Sequence, residues 1–142
     1  MTVAAILSDK GREVATTTAA KTVADAVALL ARKKIGALVV VEGERIAGII
    51  SERDIVRAIA ATGGAALTEP IDAIMTRTVV TCTDGETIDS VMARMTRGRF
   101  RHLPVVRAGK LDGIVSIGDV VKARIGQVER EAEEMRAYIA MA

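Results

Sequence analysis

The chain has 142 residues, room for one compact domain or two fused half-domains sharing a core. Half of it is apolar, but that mass is Ala, Val, Ile and Leu, with Phe100 and Tyr138 as the aromatics, so a base-stacking platform for single strands is excluded. A net charge of +2 with acids and bases interspersed argues against a nucleic-acid face, and one His with one Cys cannot build the usual zinc site within one chain.

The longest apolar stretch, residues 35–41, is interrupted by Gly36 and is far too short to cross a bilayer. No basic segment followed by an apolar run opens the chain, so no secretory signal is expected. Cys82 has no partner for an internal disulfide, which suits a reducing cytoplasm, the expected location.

In chain order, a short helical segment is predicted over residues 3–7 and a lone strand over 14–17. Residues 22–34 read as a helix, with Val23, Ala26, Val27 and Leu30 on one face and Thr22 as N-cap. Gly36 breaks it. β-Branched runs at 37–41 and 46–50 follow, joined by a hairpin-length turn containing Gly43. Ser51 caps a further helix over 52–61, and the segment from Thr62-Gly63-Gly64 to Pro70 reads as a linker. A helical segment at 71–75, a strand at 79–82, a helix at 87–98, strands at 102–106 and 111–115 and a helix from about Gly118 complete the order.

The order repeats because the residues repeat. Residues 22–58 and 87–123 align at an offset of 65 without a gap, with 12 of 37 positions identical. Each half is β-α-β-β-α, an α/β (α+β) unit whose sheet needs its uncovered apolar face buried. Two such halves packed about a pseudo-twofold axis supply the cover. The expected division is 1–66 for the first repeat with the N-terminal segment, 67–124 for the second, and 125–142 for a helical extension. Along the last helix, which runs into that extension, Val121, Ile125, Val128, Ala132, Met135 and Ile139 form a heptad seam, narrow enough to favour a helix partner and hence a homodimer.

The identities keep two polar groups where packing alone would accept many residues. Gly48-Ile49-Ile50-Ser51-Glu52-Arg53-Asp54 recurs as Gly113-Ile114-Val115-Ser116-Ile117-Gly118-Asp119, each at a strand-to-helix junction. Ser-x-x-Asp there resembles a capping box. Duplicated across a pseudo-twofold, it also places two helix N-termini along one cleft, each with a hydroxyl and a carboxylate. Unpaired amides at a helix start suit a phosphate, and a carboxylate suits the paired hydroxyls of a ribose. Ribose plus phosphate means a nucleotide.

This repeat, the two Gly-Ile-x-Ser-x-x-Asp segments and Arg101-His102-Leu103-Pro104-Val105-Val106 resemble the tandem cystathionine-β-synthase (CBS) domain pair, or Bateman module, of the stand-alone bacterial type. The resemblance spans about residues 3–123. It implies a regulatory module binding adenosine nucleotides (AMP foremost, ADP, ATP), or in some members NAD or S-adenosylmethionine, and associating as a disc-like dimer. It implies ribose contacts at Asp54 and Asp119, and ribose or phosphate contacts at Ser51 and Ser116. The base would be framed by the backbone at Thr16 and Thr17 and at Thr81, Cys82 and Thr83. Ala37 and Val39, with His102 and Pro104, would line the facing strands. By the same resemblance the Asp54 cleft receives Arg53, Arg101 and His102, with Arg99 beside them, whereas the Asp119 cleft has Gly118 and faces Gly36 and Ala37. Charge-assisted contacts to arginine outweigh neutral ones, so the Asp54 cleft is expected to be the tighter site for a charged nucleotide.

Cys82 and His102 could pair as nucleophile and base, but no orienting acid or oxyanion loop is recognisable, so the chain reads as no enzyme. A ligand-free dimeric interaction scaffold is the alternative to a sensor, since the Ser–Asp pairs also cap helices. With nothing fused to the module, a sensor would act in trans on an unknown regulated protein. No metal, nucleic-acid or membrane partner is expected.

Overall fold

The computed structural model describes residues 1–141. The first half comprises β1 (Thr16–Thr17), α2 (Val23–Lys33), β2 (Ala37–Glu42), β3 (Arg45–Ser51) and α3 (Glu52–Thr62), preceded by α1 (Val3–Lys10). The second comprises α4 (Ile71–Ile74), α5 (Ile88–Gly98), β4 (His102–Arg107), β5 (Lys110–Ser116) and α6 (Ile117–Met141). Caps set the starts. Thr22 Oγ1 accepts from Asp25 N at 3.2 Å while Thr22 N donates back to the Asp25 carboxylate at 3.1 Å, and Thr87 Oγ1 accepts from Ser90 N at 3.1 Å. Positive φ at Gly43 (61°) and Gly109 (76°) turns both hairpins, a conformation glycine adopts without a Cβ clash.

β1 pairs parallel to β2, and β2 antiparallel to β3, in a three-stranded sheet, while β4 and β5 form a two-stranded ribbon. The strand expected at 79–82 is therefore reduced to one bridge, Cys82 to Val105. Proline is the cause. In the first half Val39 N donates to Ala15 O at 3.2 Å; the residue 65 positions later is Pro104, which has no N–H to give. The pairing keeps the bonds Pro104 can accept or bypass: Cys82 N to Pro104 O at 3.0 Å and Val106 N to Cys82 O at 2.9 Å.

Leu38, Val40 and Ile50 join Val23, Ala26 and Leu30 in one core, and Leu103, Val105 and Val115 join Ile88, Val91 and Met95 in the other. Strand alternation leaves Ala37 and Val39 facing away from the first core, yet both are buried, and β3 touches β5 across the division. The halves thus cover each other's open sheet faces.

The leader segments are exchanged. Val3, Ile6 and Leu7 of α1 belong to the second core, whereas Ile71 and Met75 belong to the first. Matching backbone bonds fix both: Val3 N to Glu86 O (2.9 Å) and Ile88 N to Met1 O (3.1 Å), against Ile71 N to Lys21 O (2.8 Å) and Val23 N to Glu69 O (2.9 Å). Chain order groups residues 1–66 together, but packing sends α1 to the other half. The expected linker is ordered as well: Gly63–Thr68 forms a 3-10 helix with Ala66 buried. α6 continues far past the second core, and Val121, Ile125, Val128, Met135 and Ile139 of its seam are exposed. Among the described residues no helix is long and apolar enough to cross a membrane.

Candidate functional site

Each Ser–Asp turn opens onto a cavity built from both halves. One, of about 750 Å³, combines Ser51–Asp54 at the β3–α3 junction with residues 78–80 and 98–102 of the second half. The other, of about 610 Å³, combines Ser116 and Asp119 with residues 13–15 and 33–37 of the first. These framing segments correspond at the offset of 65, as the pseudo-twofold requires.

In the first cleft Asp54 completes a capping box. Its Oδ2 accepts from Ser51 N (2.9 Å) and Ser51 Oγ (3.1 Å), and Ser51 Oγ accepts from Asp54 N at 3.3 Å. Glu52 N donates to Gly36 O at 3.0 Å. The expected free amides at this helix start are thus partly spent, and anion binding falls to side chains. The other carboxylate oxygen, Oδ1, accepts from Thr76 Oγ1 at 3.2 Å, so it already receives a neutral hydroxyl. Around it stand Arg53, Arg57, Arg99 and Arg101, with Arg53 anchored by its bond to Arg99 O at 2.8 Å. Ile49, Val56, Val79, Val80 and Phe100 supply apolar wall. The arrangement can take a flat apolar ring, a sugar hydroxyl and a phosphate group together.

The second cleft has the same cap, with Ser116 N donating to Asp119 Oδ2 at 2.9 Å and Ser116 Oγ accepting from Asp119 N at 3.1 Å. Its carboxylate meets a charge: Lys10 Nζ lies 2.8 Å from Asp119 Oδ2 and also donates to Ile114 O at 3.0 Å. Burial pushes the Asp119 carboxyl upward, but the Lys10 ammonium and the Ser116 amide outweigh it and hold the group below the usual carboxylate range. Lys33 and Lys34 also line this cleft, so it is not poor in positive charge as its Gly118 and Ala37 suggest.

His102 lines both cavities, as does Gly36 against which it rests. Burial lowers its pKa, and Glu52 and Asp119 counter in part. The ring is the wall between the clefts.

The structure brings Ser51, Arg53, Asp54, Arg99, Arg101 and His102 to the first cavity, and Ala37, His102, Ser116 and Asp119 to the second. Thr16, Thr17, Thr81, Cys82 and Thr83 line neither, because the framing segments lie a few residues earlier, at 13–15 and 78–80. Val39 and Pro104 are buried in the strands beneath. Cys82 is also buried, and burial, with Glu86 adding to it, pushes its thiol up to about 11, so no thiolate is offered to His102 at neutral pH. Sequence reasoning missed Thr76, Thr78–Val80, Arg57 and Phe100 in one cleft and Lys10 and Lys33 in the other. At the offset of 65 only Val14 and Val79 agree between the framing segments, so the repeat by itself does not mark them as lining, and nothing local points to Lys10.

A family profile described as CBS domain matches residues 6–61 and 71–126. The CBS domain-containing protein CBSX3, mitochondrial, of Arabidopsis thaliana is 39% identical over 123 residues, which are 83% of this chain and 60% of that protein, less than two thirds of its length. The CBS-domain containing protein ATU1752 from Agrobacterium tumefaciens has a crystal structure matching at TM-score 0.86 and 45% identity, over 87% of this chain and 99% of that one. The CBS domain pair of protein MJ0100, solved in complex with 5′-methylthioadenosine and S-adenosyl-L-methionine, matches at TM-score 0.79 and 28% identity, over 89% of this chain and 98% of that one.

Proposed function

The chain belongs to the CBS domain family as a tandem pair, and from that premise we propose that it is a regulatory module sensing an adenosine nucleotide, AMP foremost, in its Asp54 cleft. One observation carries the reading: Asp54 Oδ1 accepts a neutral hydroxyl, from Thr76 at 3.2 Å, inside a cavity lined by Arg53, Arg57, Arg99 and Arg101. A ribose hydroxyl replaces the threonine like for like, the phosphate meets guanidinium groups, and the base lies on Val79, Val80 and Phe100. The adenosine-bearing ligands of the MJ0100 pair support the choice of nucleoside.

The exposed heptad seam of α6 is the surface for a second copy, giving a homodimer whose arrangement shifts with occupancy and is read by a separate regulated protein. ADP, ATP and NAD offer the same ribose and more phosphate, so they compete for the same cleft.

Thermal denaturation with AMP, ADP, ATP, NAD and S-adenosylmethionine tests the reading. A ligand at about 100 times its dissociation constant adds about 2.7 kcal/mol. AMP stabilises the wild type and stabilises Asp54→Ala by no more than about half as much. Silence from every nucleotide at millimolar concentration favours the dimeric scaffold, for which Asp54 and Asp119 are helix caps and nothing more, as their Oδ2 bonds to Ser51 and Ser116 allow.

A further inference from the structure

Lys10 is the last residue of α1, and the exchange of leader segments carries that helix onto the second half. Its ammonium there holds Asp119 Oδ2 at 2.8 Å and Ile114 O at 3.0 Å, with both side chains of the ion pair largely covered, at 32% and 25% exposure. In the first half the group on the equivalent carboxylate is the neutral hydroxyl of Thr76, at 3.2 Å. The difference is chemical. A sugar hydroxyl can take the place of a threonine hydroxyl with no change of charge. Lys10 bonds the capping oxygen of Asp119, Oδ2, so a sugar hydroxyl that reaches Oδ1 meets a carboxylate whose charge the ammonium already draws, a weaker acceptor than Asp54.

We propose that Lys10 determines the specificity of the second cleft: by neutralising Asp119 it weakens that carboxylate as a partner for a neutral vicinal diol and leaves the chain one strong adenosine site, at Asp54. The proposal rests on the reading that carboxylates at these turns receive sugar hydroxyls. Lys10 is a positioning residue here, acting through Asp119. The alternative role for the same side chain, a direct contact to a ligand phosphate, makes the opposite prediction on its removal.

Calorimetric titration decides, with adenosine as the probe because it has the diol and no phosphate. The first cleft is weakened tenfold or more by Asp54→Ala, and adenosine is titrated into that variant with Lys10 intact and with Lys10→Ala. The expected result is binding at least tenfold tighter, near one equivalent, once Lys10 is gone. Unchanged affinity, weaker affinity, or no binding by either variant overturns the proposal. Wild type titrated with AMP in parallel separates the two readings: two equivalents strike the Lys10 lock and spare the sensor, whereas no binding beside a newly competent Lys10→Ala cleft strikes the Asp54 site and spares the lock. A readout independent of ligand is the Asp119 carboxyl resonance, whose titration midpoint rises in Lys10→Ala. An unmoved midpoint in a variant with the wild-type circular dichroism spectrum overturns the contact itself.

Discussion

Leu7 packs on Gly113 so closely that a Cβ at the glycine would lie 3.0 Å from Leu7 Cδ2 and 3.1 Å from Cδ1. The pseudo-twofold repeats the arrangement at Gly48, where a Cβ would meet Met75 Sδ and Thr76 O, each at 2.8 Å. These repeated glycines are therefore the seats of the exchanged leader segments. They differ in what surrounds them. Leucine methyls can rotate away, but Thr76 O is held by its bond from Ile49 N at 2.9 Å.

Gly48→Ala accordingly destabilises by about 1–3 kcal/mol and Gly113→Ala by about 1 kcal/mol or less. Urea denaturation of the two variants checks the order. Equal losses, or a larger one at Gly113, contradict the assignment of the rigid seat to Gly48.

Asp54→Ala removes a cap and, in the proposed nucleotide site, a ligand contact at once. The cap costs about 0.5–2 kcal/mol of stability. The contact, a hydrogen bond to a charged group, is worth about 1.5–3 kcal/mol, or about a tenfold to hundredfold loss in AMP affinity. Asp54→Asn separates the two: it keeps an acceptor for the Ser51 amide and more of the stability, yet loses most of the affinity. Denaturation and calorimetry on the same preparations test the split.

Stability falls with acid in two steps. Burial lowers the His102 pKa beneath its ordinary 6.5, so between the two values the unfolded chain holds more protons than the folded one. Stability is complete above 6.5 and is lost as pH falls through the folded value. The groups facing the ring are Glu52 of α3, Asp119 of α6, Lys10 of α1 and its neighbour Arg101. Asp119, held below its ordinary 3.8, adds a second loss further down, with the same sign. In urea midpoints measured between about pH 7.5 and about pH 3, His102→Asn flattens the upper step and Lys10→Ala the lower. A wild type whose midpoint is constant through the upper interval contradicts the His102 assignment.

Cys82 lies in the second core and its thiol is pushed up to about 11. Iodoacetamide at about pH 8 leaves the folded protein unmodified and alkylates it fully in denaturant. Rapid alkylation of the native protein would show that the bridge between Cys82 and Val105 opens readily.

Ile125 is 54% exposed and Val128 47%, so glutamate at either changes the monomer by no more than about 0.5 kcal/mol. In the proposed dimer the same changes put charge into the seam. Sedimentation is expected to show self-association of the wild type and a monomeric Ile125→Glu/Val128→Glu double variant. Identical sedimentation of the two removes α6 from the dimer interface.

The amino-acid sequence by itself determined the duplicated β-α-β-β-α order, the caps at Thr22 and Ser51, both hairpin turns and the Ser51–Asp54 and Ser116–Asp119 turns at the clefts. Each depends on residues a few positions apart, where helical and strand periods and capping chemistry act. The lost strand at 79–82 was also written there, in Pro104, but it is expressed through a partner strand more than twenty residues away. Tertiary structure alone decided the exchange of leaders, the placing of Thr76 on Asp54, and above all the meeting of Lys10 with Asp119, 109 residues apart. No local pattern encodes such a meeting: it follows from which hydrophobic face α1 finds to cover, and the ammonium is carried to the carboxylate by that packing.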